Sequence, residues 1–286
     1  MRQRICVTGA NGLAGKAVVR ELREHGYDVA ATDIATTFGE DDVLRADLTD
    51  YGQAVEALSG ASAVVHLANI PADGLTTPAV TFNANMRMNF NLFQAAVTLG
   101  LSRVVWASSE TTLGLPFDVP PRYAPVDEDH YPVPTSTYAL SKVATETIAG
   151  HFAQWSGIPF VALRFSNIWS PGWYSELPDF WDDPQKRKWN LWGYVDERDV
   201  ALACRLAIEA DEAAVAGSPA FIITAADTVM NQLSTDLMAL VFPGVPLTSP
   251  VAEFGTLLSI ERARKALSYE PRHSWRDHVS ARTEPQ

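Results

Sequence analysis

Short apolar runs alternate along most of the chain with segments in which apolar residues recur every three or four positions. Short apolar or β-branched runs are typical of buried strands, whereas the longer spacing is typical of one face of a helix. The runs that predict strands are ICVTG (5–9), YDVAATD (27–33), SAVVHLAN (62–69), RVVWASS (103–109), PFVALRF (159–165) and AFIITAAD (220–227). The segments that predict helices are 16–26, 51–60, 89–100, the one that contains YALSK (138–142), 199–210 and 260–269. This alternation predicts an α/β fold, a doubly wound parallel sheet with helices on both faces and ligands at the carboxyl ends of its strands.

The net charge of the chain limits the kinds of molecule that it is expected to bind. The chain has 22 lysines and arginines against 34 aspartates and glutamates, a net charge of −12. Nucleic acids and anionic membranes select basic surfaces, so neither is expected as a partner. No apolar run approaches the roughly 18 residues that a membrane span requires. No leader-like segment precedes the first predicted strand, and we therefore expect a cytoplasmic protein.

The cysteines and histidines indicate neither a disulfide framework nor a metal site. Cys6 and Cys204 lie in a predicted strand and a predicted helix, where they are typical of small core residues in a reducing compartment. None of the six histidines is paired at metal-ligand spacing. We therefore expect no metal.

A glycine-rich turn, TGANGLAG, joins the first predicted strand to the first predicted helix. Gly9, Gly12 and Gly15 are spaced one residue more widely in the first gap than in the dinucleotide fingerprint G-x-G-x-x-G. Without side chains, the backbone N–H groups can approach a pyrophosphate, and the helix N-terminus adds a favourable dipole. A tight turn without a ligand is the alternative, but the strand-turn-helix context favours phosphate binding.

An acid at the end of the second predicted strand indicates which dinucleotide is bound. Asp33 follows the glycine turn by about 20 residues, where a carboxylate can bind the ribose hydroxyls of adenosine. It would repel the extra phosphate of NADP, and no arginine follows within DIATTFGE (33–40). The sequence therefore favours NAD, with an ordinary loop acid as the alternative.

The segment STYALSK (136–142) places a tyrosine and a lysine four positions apart. Tyr138 and Lys142 then share one face of a helix. The simplest interpretation is a half-buried ring beside a solvated amine. The alternative is a general base, because a neighbouring ammonium favours the phenolate of a group whose ordinary pKa is about 10.

Several motifs in a fixed order carry a resemblance to a known family. They are TGANGLAG, Asp33, ADLTD (46–50), HLAN (66–69), ASS (107–109), YALSK, LRFSNIW (163–169), GYVDERDVA (193–201) and SIERARKALSYEP (259–271). With them, the chain resembles the extended short-chain dehydrogenase/reductase superfamily and, more narrowly, its NAD-dependent epimerase/dehydratase family. The combination is specific, although no single motif is.

The resemblance implies roles for individual residues. The catalytic group would be Ser109, Tyr138, Lys142 and Asn85. The cofactor-binding residues would be Gly9, Asn11, Gly12, Leu13, Gly15, Asp33, Asp47, Leu48, Ala68, Asn69, Tyr138 and Lys142. Of these, Asp47 and Leu48 match positions that hold the adenine. Asn69 departs from the family, which more often has alanine there.

The resemblance also implies a sugar substrate. The substrate-binding residues would be Ser109, Glu110, Asn167, Trp169, Trp173 and Trp192. Trp192 stands where many members have an arginine for the substrate diphosphate, and Arg187, Lys186 and Lys188 are the candidates to replace it. A nucleotide sugar and a free sugar or sugar acid therefore both remain open. Most of the tryptophans between 169 and 192 are expected to build a core.

Three functions follow, in order of preference. The family's sugar dehydratases have an Asp-Glu pair after the catalytic threonine, whereas Ser109 is followed by Glu110 and Thr111, which disfavours dehydration. We therefore expect an NAD-dependent epimerase that works through a transient keto sugar, with Tyr138 as base. The alternative enzyme is a sugar or sugar-acid dehydrogenase that releases NADH. The non-enzymatic alternative is a nucleotide-sensing binding protein, against which the intact Ser109, Tyr138 and Lys142 argue.

The alternation of strands and helices ends near residue 166, where a segment rich in proline and aromatic residues begins. We therefore expect an NAD-binding Rossmann domain over 1–165 and a small C-terminal substrate-binding lobe over 166–286, some of whose elements return to the Rossmann sheet. The family resemblance also implies a homodimer formed through a helix pair.

Overall fold

The computed structural model describes residues 2–36 and 42–279 and contains a central sheet of parallel strands flanked by helices. The strands are β1 (Arg4–Thr8), β2 (Asp28–Asp33), β3 (Val43–Arg45), β4 (Ala63–His66), β5 (Arg103–Ser109), β6 (Phe160–Phe165), β7 (Ile168–Trp169), β8 (Val195–Asp196) and β9 (Ala220–Ile223). Seven of them form the central sheet in the order β3-β2-β1-β4-β5-β6-β9, and β7 pairs with β8 separately. The order reverses between β1 and β4, as in a Rossmann-type doubly wound sheet. The predicted fold class is confirmed.

Of the helices in the described residues, the first five lie between strands along the chain and the last two follow β9. They are α1 (Leu13–Glu24), α2 (Tyr51–Leu58), α3 (Pro78–Leu99), α4 (Thr137–Ser156), α5 (Glu197–Glu209), α6 (Ser234–Val241) and α7 (Glu261–Leu267). Short 3-10 segments span Glu110–Leu113, Pro171–Phe180, Pro184–Lys186, Lys188–Asn190, Glu212–Ala214 and Trp275–Asp277. Within the described residues, no helix is both long and apolar enough to cross a membrane.

The sheet is buried on both faces, which explains why its strands are continuous apolar runs. Side chains alternate along β1: Ile5 and Val7 pack in the layer that holds α1 and α5, and Cys6 packs in the layer that holds α2, α3 and α4. Cys6 and Cys204 are both buried free thiols. Burying a valine-, leucine- or phenylalanine-sized side chain stabilises the fold by about 1.5–3 kcal/mol, so these two layers account for much of the sheet's stability.

Helix α3 begins at Pro78, well before residue 89, where the apolar pattern predicts a helix. Thr81, Asn85 and Asn89 face inward from its first half and are buried, so polar residues occupy positions that are usually apolar. Because these inward-facing positions are polar, the hydrophobicity pattern does not show the helical period there. Pro78 is well placed in the first turn, where its missing N–H has no partner to lose.

The chain beyond β6 contributes to two parts of the structure. β9 pairs with β6 in the central sheet, and α5 packs against α1. A separate apolar cluster contains Trp169, Trp181 and Trp192 together with residues of the C-terminal segments. The cluster also includes Leu113, Leu115, Phe117, Ala124 and Val126, so the segment between β5 and α4 packs with the C-terminal part of the chain.

Candidate active site

The glycine turn brings backbone groups close together at the carboxyl end of β1. Gly9 has a φ of +69°, and a Cβ there would lie 2.7 Å from the Ala68 nitrogen. A Cβ on Gly15 would lie 2.0 Å from the Gly9 carbonyl oxygen. Gly12 is the N-cap of α1 and brings no side chain to the turn. The turn therefore fits a pyrophosphate bound by backbone N–H groups at the start of α1.

Asp33 lies beside this turn at the end of β2. Its carboxylate accepts hydrogen bonds from the Asn11 and Ala35 backbone nitrogens, each at 2.9 Å. The Asn11 side-chain nitrogen in turn donates to the Ala35 carbonyl. The acid is thus held at the edge of the dinucleotide cradle, where the sequence predicts the adenosine ribose.

Asp47 and Leu48, which the resemblance places near the adenine, make different contacts. The Asp47 carboxylate accepts hydrogen bonds from the backbone and the hydroxyl of Thr49, which lower its pKa. Leu48 is buried in the core, and its carbonyl accepts from the Asn91 side chain. Contact between Leu48 and a cofactor would therefore be through its backbone N–H. Leu13, at the start of α1, is exposed.

A buried hydrogen-bond network lies under the turn, and the sequence did not predict it. The His66 ring bonds the Thr8 hydroxyl at 2.7 Å through Nδ1 and the Asn89 Oδ1 atom at 2.9 Å through Nε2. Asn89 Nδ2 donates to the Thr145 hydroxyl at 2.9 Å, and Asn69 Nδ2 donates to Asn89 Oδ1 at 3.1 Å. Burial lowers the pKa of His66 to about 3, so the ring is neutral and carries its proton on Nε2. The network links the end of β1 to α3 and α4.

Ser109, Tyr138 and Lys142 come together at the end of β5 and the start of α4. Ser136 caps α4, accepting from the Ala139 nitrogen at 3.1 Å, so Tyr138 lies in its first turn and Lys142 in the next. Lys142 Nζ lies 5.5 Å from the centre of the Tyr138 ring and donates to the Ala107 carbonyl at 2.7 Å. All three predicted residues are buried and adjacent.

The pKa values of Tyr138 and Lys142 differ from those that the sequence predicts. Burial raises the pKa of Tyr138 to about 12, while the nearby Ser109 hydroxyl lowers it. Burial also lowers the pKa of Lys142 to about 7. We expected the ammonium to make the phenol more acidic, but withdrawal of both groups from water outweighs that attraction. Activation of Tyr138 therefore needs a further positive charge.

Asn85 is placed to position a loop. Its Oδ1 atom accepts from the Ile70 nitrogen at 2.8 Å, and its Nδ2 atom donates to the Ile70 carbonyl at 3.1 Å. The side chain is fully buried. Both ends of its amide bind the segment after β4, and the catalytic role expected for Asn85 stays a prediction.

Two predicted substrate residues lie under the site. Glu110 is buried, and its carboxylate accepts from the Ser166 hydroxyl at 2.5 Å and from Asn190 Nδ2 at 3.1 Å. Trp192 is fully buried, and its indole donates to the Pro184 carbonyl at 2.8 Å. The Trp192 ring packs inside the aromatic cluster, and its predicted role in substrate binding stays a prediction. Glu110 supports the site from below, where burial raises its pKa to about 7.

The other predicted substrate residues lie together after β6. Asn167 Oδ1 accepts from Trp169 Nε1 at 2.6 Å and from Arg187 Nη2 at 3.1 Å. The rings of Trp169 and Trp173 meet edge to face, with centroids 6.3 Å apart. Trp173 is 45% exposed, whereas Trp169 is 6% exposed, so Trp173 has the ring surface available for stacking on a sugar.

No cluster of metal-ligating side chains is found within residues 2–36 and 42–279. The glycine cradle, Asp33 and the Ser109–Tyr138–Lys142 group instead define the class of protein as a short-chain oxidoreductase that uses NAD. The sequence model described as the NAD dependent epimerase/dehydratase family matches residues 5–220. The chain belongs to this family.

The individual relatives are named for different reactions, and NAD is named for two of the three described here. An NAD-dependent glucose-6-phosphate dehydrogenase from Haloferax volcanii is 28% identical over 59% of this chain and 70% of its own length. A UDP-glucose 4-epimerase from Lacticaseibacillus casei is 30% identical over 57% of this chain and 51% of its own length. The solved structure of MoeE5 in complex with UDP-glucuronic acid and NAD is 26% identical, with a TM-score of 0.71, and covers 96% of this chain and 95% of that one.

The sequence matches to curated relatives are partial. Among the eight examples compared, the matched segment spans between 47% and 70% of the relative's length. The names of these relatives describe enzymes that act on sugars or nucleotide sugars. As a member of the NAD-dependent epimerase/dehydratase family, this chain is an NAD-dependent enzyme of the oxidoreductase type.

Proposed function

We propose that this protein oxidises a hydroxyl group of a sugar to a carbonyl group, with Tyr138 as the general base. The observation that carries the proposal is the meeting of Ser109, Tyr138 and Lys142 beside the glycine cradle. NAD, when bound, accepts the hydride from the sugar carbon, and its positively charged ring favours the Tyr138 phenolate. This is the further positive charge that the buried phenol requires.

The protein's own residues handle the proton. The Tyr138 phenolate oxygen takes the hydroxyl proton as the C–H hydride leaves, and the C–O bond becomes the carbonyl. Ser109 Oγ hydrogen-bonds the same substrate oxygen and holds it toward Tyr138. Lys142 lies one turn further along α4. Its Nζ atom donates a hydrogen bond to the Ala107 carbonyl and lies beside the Tyr138 ring. General-base catalysis of this kind contributes roughly 10²–10⁴-fold.

The preferred reaction is net dehydrogenation, in which NADH leaves with the oxidised sugar. The supporting observation is that Trp192 is fully buried; the family resemblance implies that this residue stands where many members have a diphosphate-binding arginine. A free sugar needs no diphosphate site. The relative from Haloferax volcanii, named as a glucose-6-phosphate dehydrogenase, gives an example of net oxidation in this family.

Epimerisation through a transient keto sugar is the second candidate. It uses the same base, and returns the hydride to the opposite face of the carbonyl before the product leaves. The relative named UDP-glucose 4-epimerase and the structure of MoeE5 with a nucleotide sugar favour it.

One experiment separates these reactions. The purified protein is incubated with excess NAD and a panel of sugars, and NADH absorbance is followed while stereoisomers are separated by chromatography. Accumulation of NADH supports the dehydrogenase, and a new stereoisomer without NADH supports the epimerase. Tyr138→Phe is expected to reduce either rate roughly 10²–10⁴-fold while it still binds NAD. An unchanged rate in this variant would refute the role of Tyr138.

A further inference from the structure

A third residue shares the face of α4 that carries Tyr138 and Lys142. Glu146 follows Lys142 by four positions, as Lys142 follows Tyr138, and residues at this spacing lie one turn apart on the same helix face. The tyrosine-lysine motif ends at Lys142, and the proposed chemistry gives Glu146 no role. Its side chain is only 16% exposed, so a charged group lies largely out of water directly beyond the catalytic pair.

Arg164 and Ser108 hold the Glu146 carboxylate in one position. Arg164 Nε donates to Oε1 at 2.9 Å and Arg164 Nη2 donates to Oε2 at 2.8 Å, which makes a bidentate ion pair. The Ser108 hydroxyl donates to Oε1 at 2.6 Å. Arg164 is buried. Three donors from the sheet therefore fix the carboxylate of a helix residue in a site that is shielded from solvent.

This contact lies next to the catalytic residues of β5. Ser108 is opposite the arginine of the ion pair in the register of β5 and β6. It follows Ala107, whose carbonyl accepts from Lys142 Nζ, and it precedes Ser109, whose hydroxyl bonds the Tyr138 phenol. Three consecutive residues of β5 thus contact three residues of α4 that are spaced one turn apart. The contact that Ser108 makes is the one that brings in a negative charge.

The charge of Glu146 acts on Lys142. Burial lowers the pKa of Lys142 to about 7, and Glu146 raises it. Without the carboxylate, the Lys142 amine would lose its proton at a lower pH, because burial alone favours the neutral form. A neutral amine would not stabilise the Tyr138 phenolate.

The other titratable groups around the catalytic pair do not supply this charge. His66 faces Lys142 from β4, but burial lowers its pKa to about 3, so the ring is neutral. Glu110 acts from the segment after β5 on Tyr138, and it raises the pKa of the phenol. Among the described residues, Glu146 is the acid that acts on the pKa of Lys142.

The arginine of the ion pair has titratable neighbours of its own. Its charge acts on Glu128 and His130, which lie between β5 and α4. Burial raises the pKa of Glu128 and lowers that of His130. In the described part of the chain, the one ion pair of Arg164 is nevertheless with Glu146. The two charges can therefore be removed together.

We propose that Glu146 is a positioning residue that keeps the Lys142 amine charged beside Tyr138. Its anchors are Ser108 and Arg164, which hold the carboxylate on the face of α4 that carries the catalytic pair. Glu146 acts through Lys142 and touches neither the sugar nor NAD. This inference rests on the proposed function, because it explains how a buried base retains the ammonium that activates it.

Titration of Lys142 tests the proposal without turnover. The full-length protein, loaded with NAD, is prepared with isotope-labelled lysine, and the Lys142 side-chain resonance is followed by NMR as a function of pH. Lys142→Met assigns the resonance. Glu146→Gln keeps the hydrogen-bonding atoms and removes the charge, so the titration midpoint of Lys142 should fall by about one pH unit or more.

Arg164→Met is the matched control, because it breaks the same ion pair and leaves the carboxylate. Its Lys142 midpoint should not fall. The double variant Glu146→Gln with Arg164→Met leaves no unpaired buried charge, and its midpoint should fall as in Glu146→Gln. A cooperative urea transition shows that each variant is folded. An equal fall in Arg164→Met would overturn the proposal, because loss of the clamp alone would then explain it. An unchanged midpoint in the double variant would also overturn it.

Failure of the proposed function would look different. If Tyr138→Phe oxidised sugars as fast as the wild type, the assignment of the base would be wrong. A lowered Lys142 midpoint in Glu146→Gln would still show that the carboxylate keeps the amine charged, because that measurement involves no sugar.

Discussion

The side-chain amides of Asn69 and Asn89 bind each other across the gap between β4 and α3, with Asn69 Nδ2 donating to Asn89 Oδ1 at 3.1 Å. The same Asn89 oxygen accepts from His66, which holds the Thr8 hydroxyl next to the glycine turn. This explains why Asn69 stands where the family more often has alanine. The residue completes a polar network whose second asparagine lies on α3.

We predict that Asn89 matters more for stability than Asn69. Asn89→Leu removes the acceptor of His66 Nε2 and the amide donor to the Thr145 hydroxyl, while His66 keeps Thr8 and Thr145 keeps the Ser141 carbonyl. Each buried group left unsatisfied costs roughly 1–3 kcal/mol. The free energy of unfolding should therefore fall by about 2–4 kcal/mol, measured by urea titration. Asn69→Ala is the control, since Asn89 keeps its bonds to His66 and Thr145, and it should cost less than about 1 kcal/mol. Equal losses in the two variants would contradict the network.

Gly15 and Gly150 form a matched pair of glycines in helices. A Cβ at Gly15 would lie 2.0 Å from the Gly9 carbonyl, whereas one at Gly150 would meet nothing within 4 Å. Gly15→Ala should displace the turn at a cost of roughly 1–3 kcal/mol, and so weaken NAD binding about tenfold or more. Gly150→Ala should leave NAD affinity unchanged and stabilise α4 by about 0.5–1 kcal/mol. Calorimetric titration of NAD measures both. Normal NAD binding by Gly15→Ala would show that the turn does not form the cradle.

Asp33 is predicted to set the preference for NAD over NADP. Its carboxylate repels a phosphate on the adenosine ribose by about 1–4 kcal/mol, depending on local solvation. Asp33→Ser keeps a hydrogen-bond acceptor and removes the charge, so the ratio of NADP affinity to NAD affinity should rise about tenfold or more. Asp28→Ser is the control, because Asp28 begins the same strand and its one ion pair within residues 2–36 and 42–279 is with exposed Arg4. An unchanged ratio in Asp33→Ser would assign the preference to another residue.

The sequence predicts the sheet and the catalytic group because both depend on local patterns. Strands such as β6 are buried on both faces and therefore appear as apolar runs, and the four-residue spacing of Tyr138 and Lys142 is itself a helical contact. The early start of α3 escapes prediction because buried asparagines replace apolar residues there. The environment of Arg187 escapes it too, because the rings and the amide around the guanidinium meet only through tertiary packing.

The position of β9 limits how the C-terminal part of the chain can move. Because β9 is hydrogen-bonded beside β6 and α5 packs on α1, that part is anchored to the same sheet that supports the glycine turn. A swing of the whole C-terminal part away from the turn would have to break the pairing of β9 with β6. The segments that connect β6 to β9 therefore start and end on one fixed frame, and only movements within those segments leave the sheet intact.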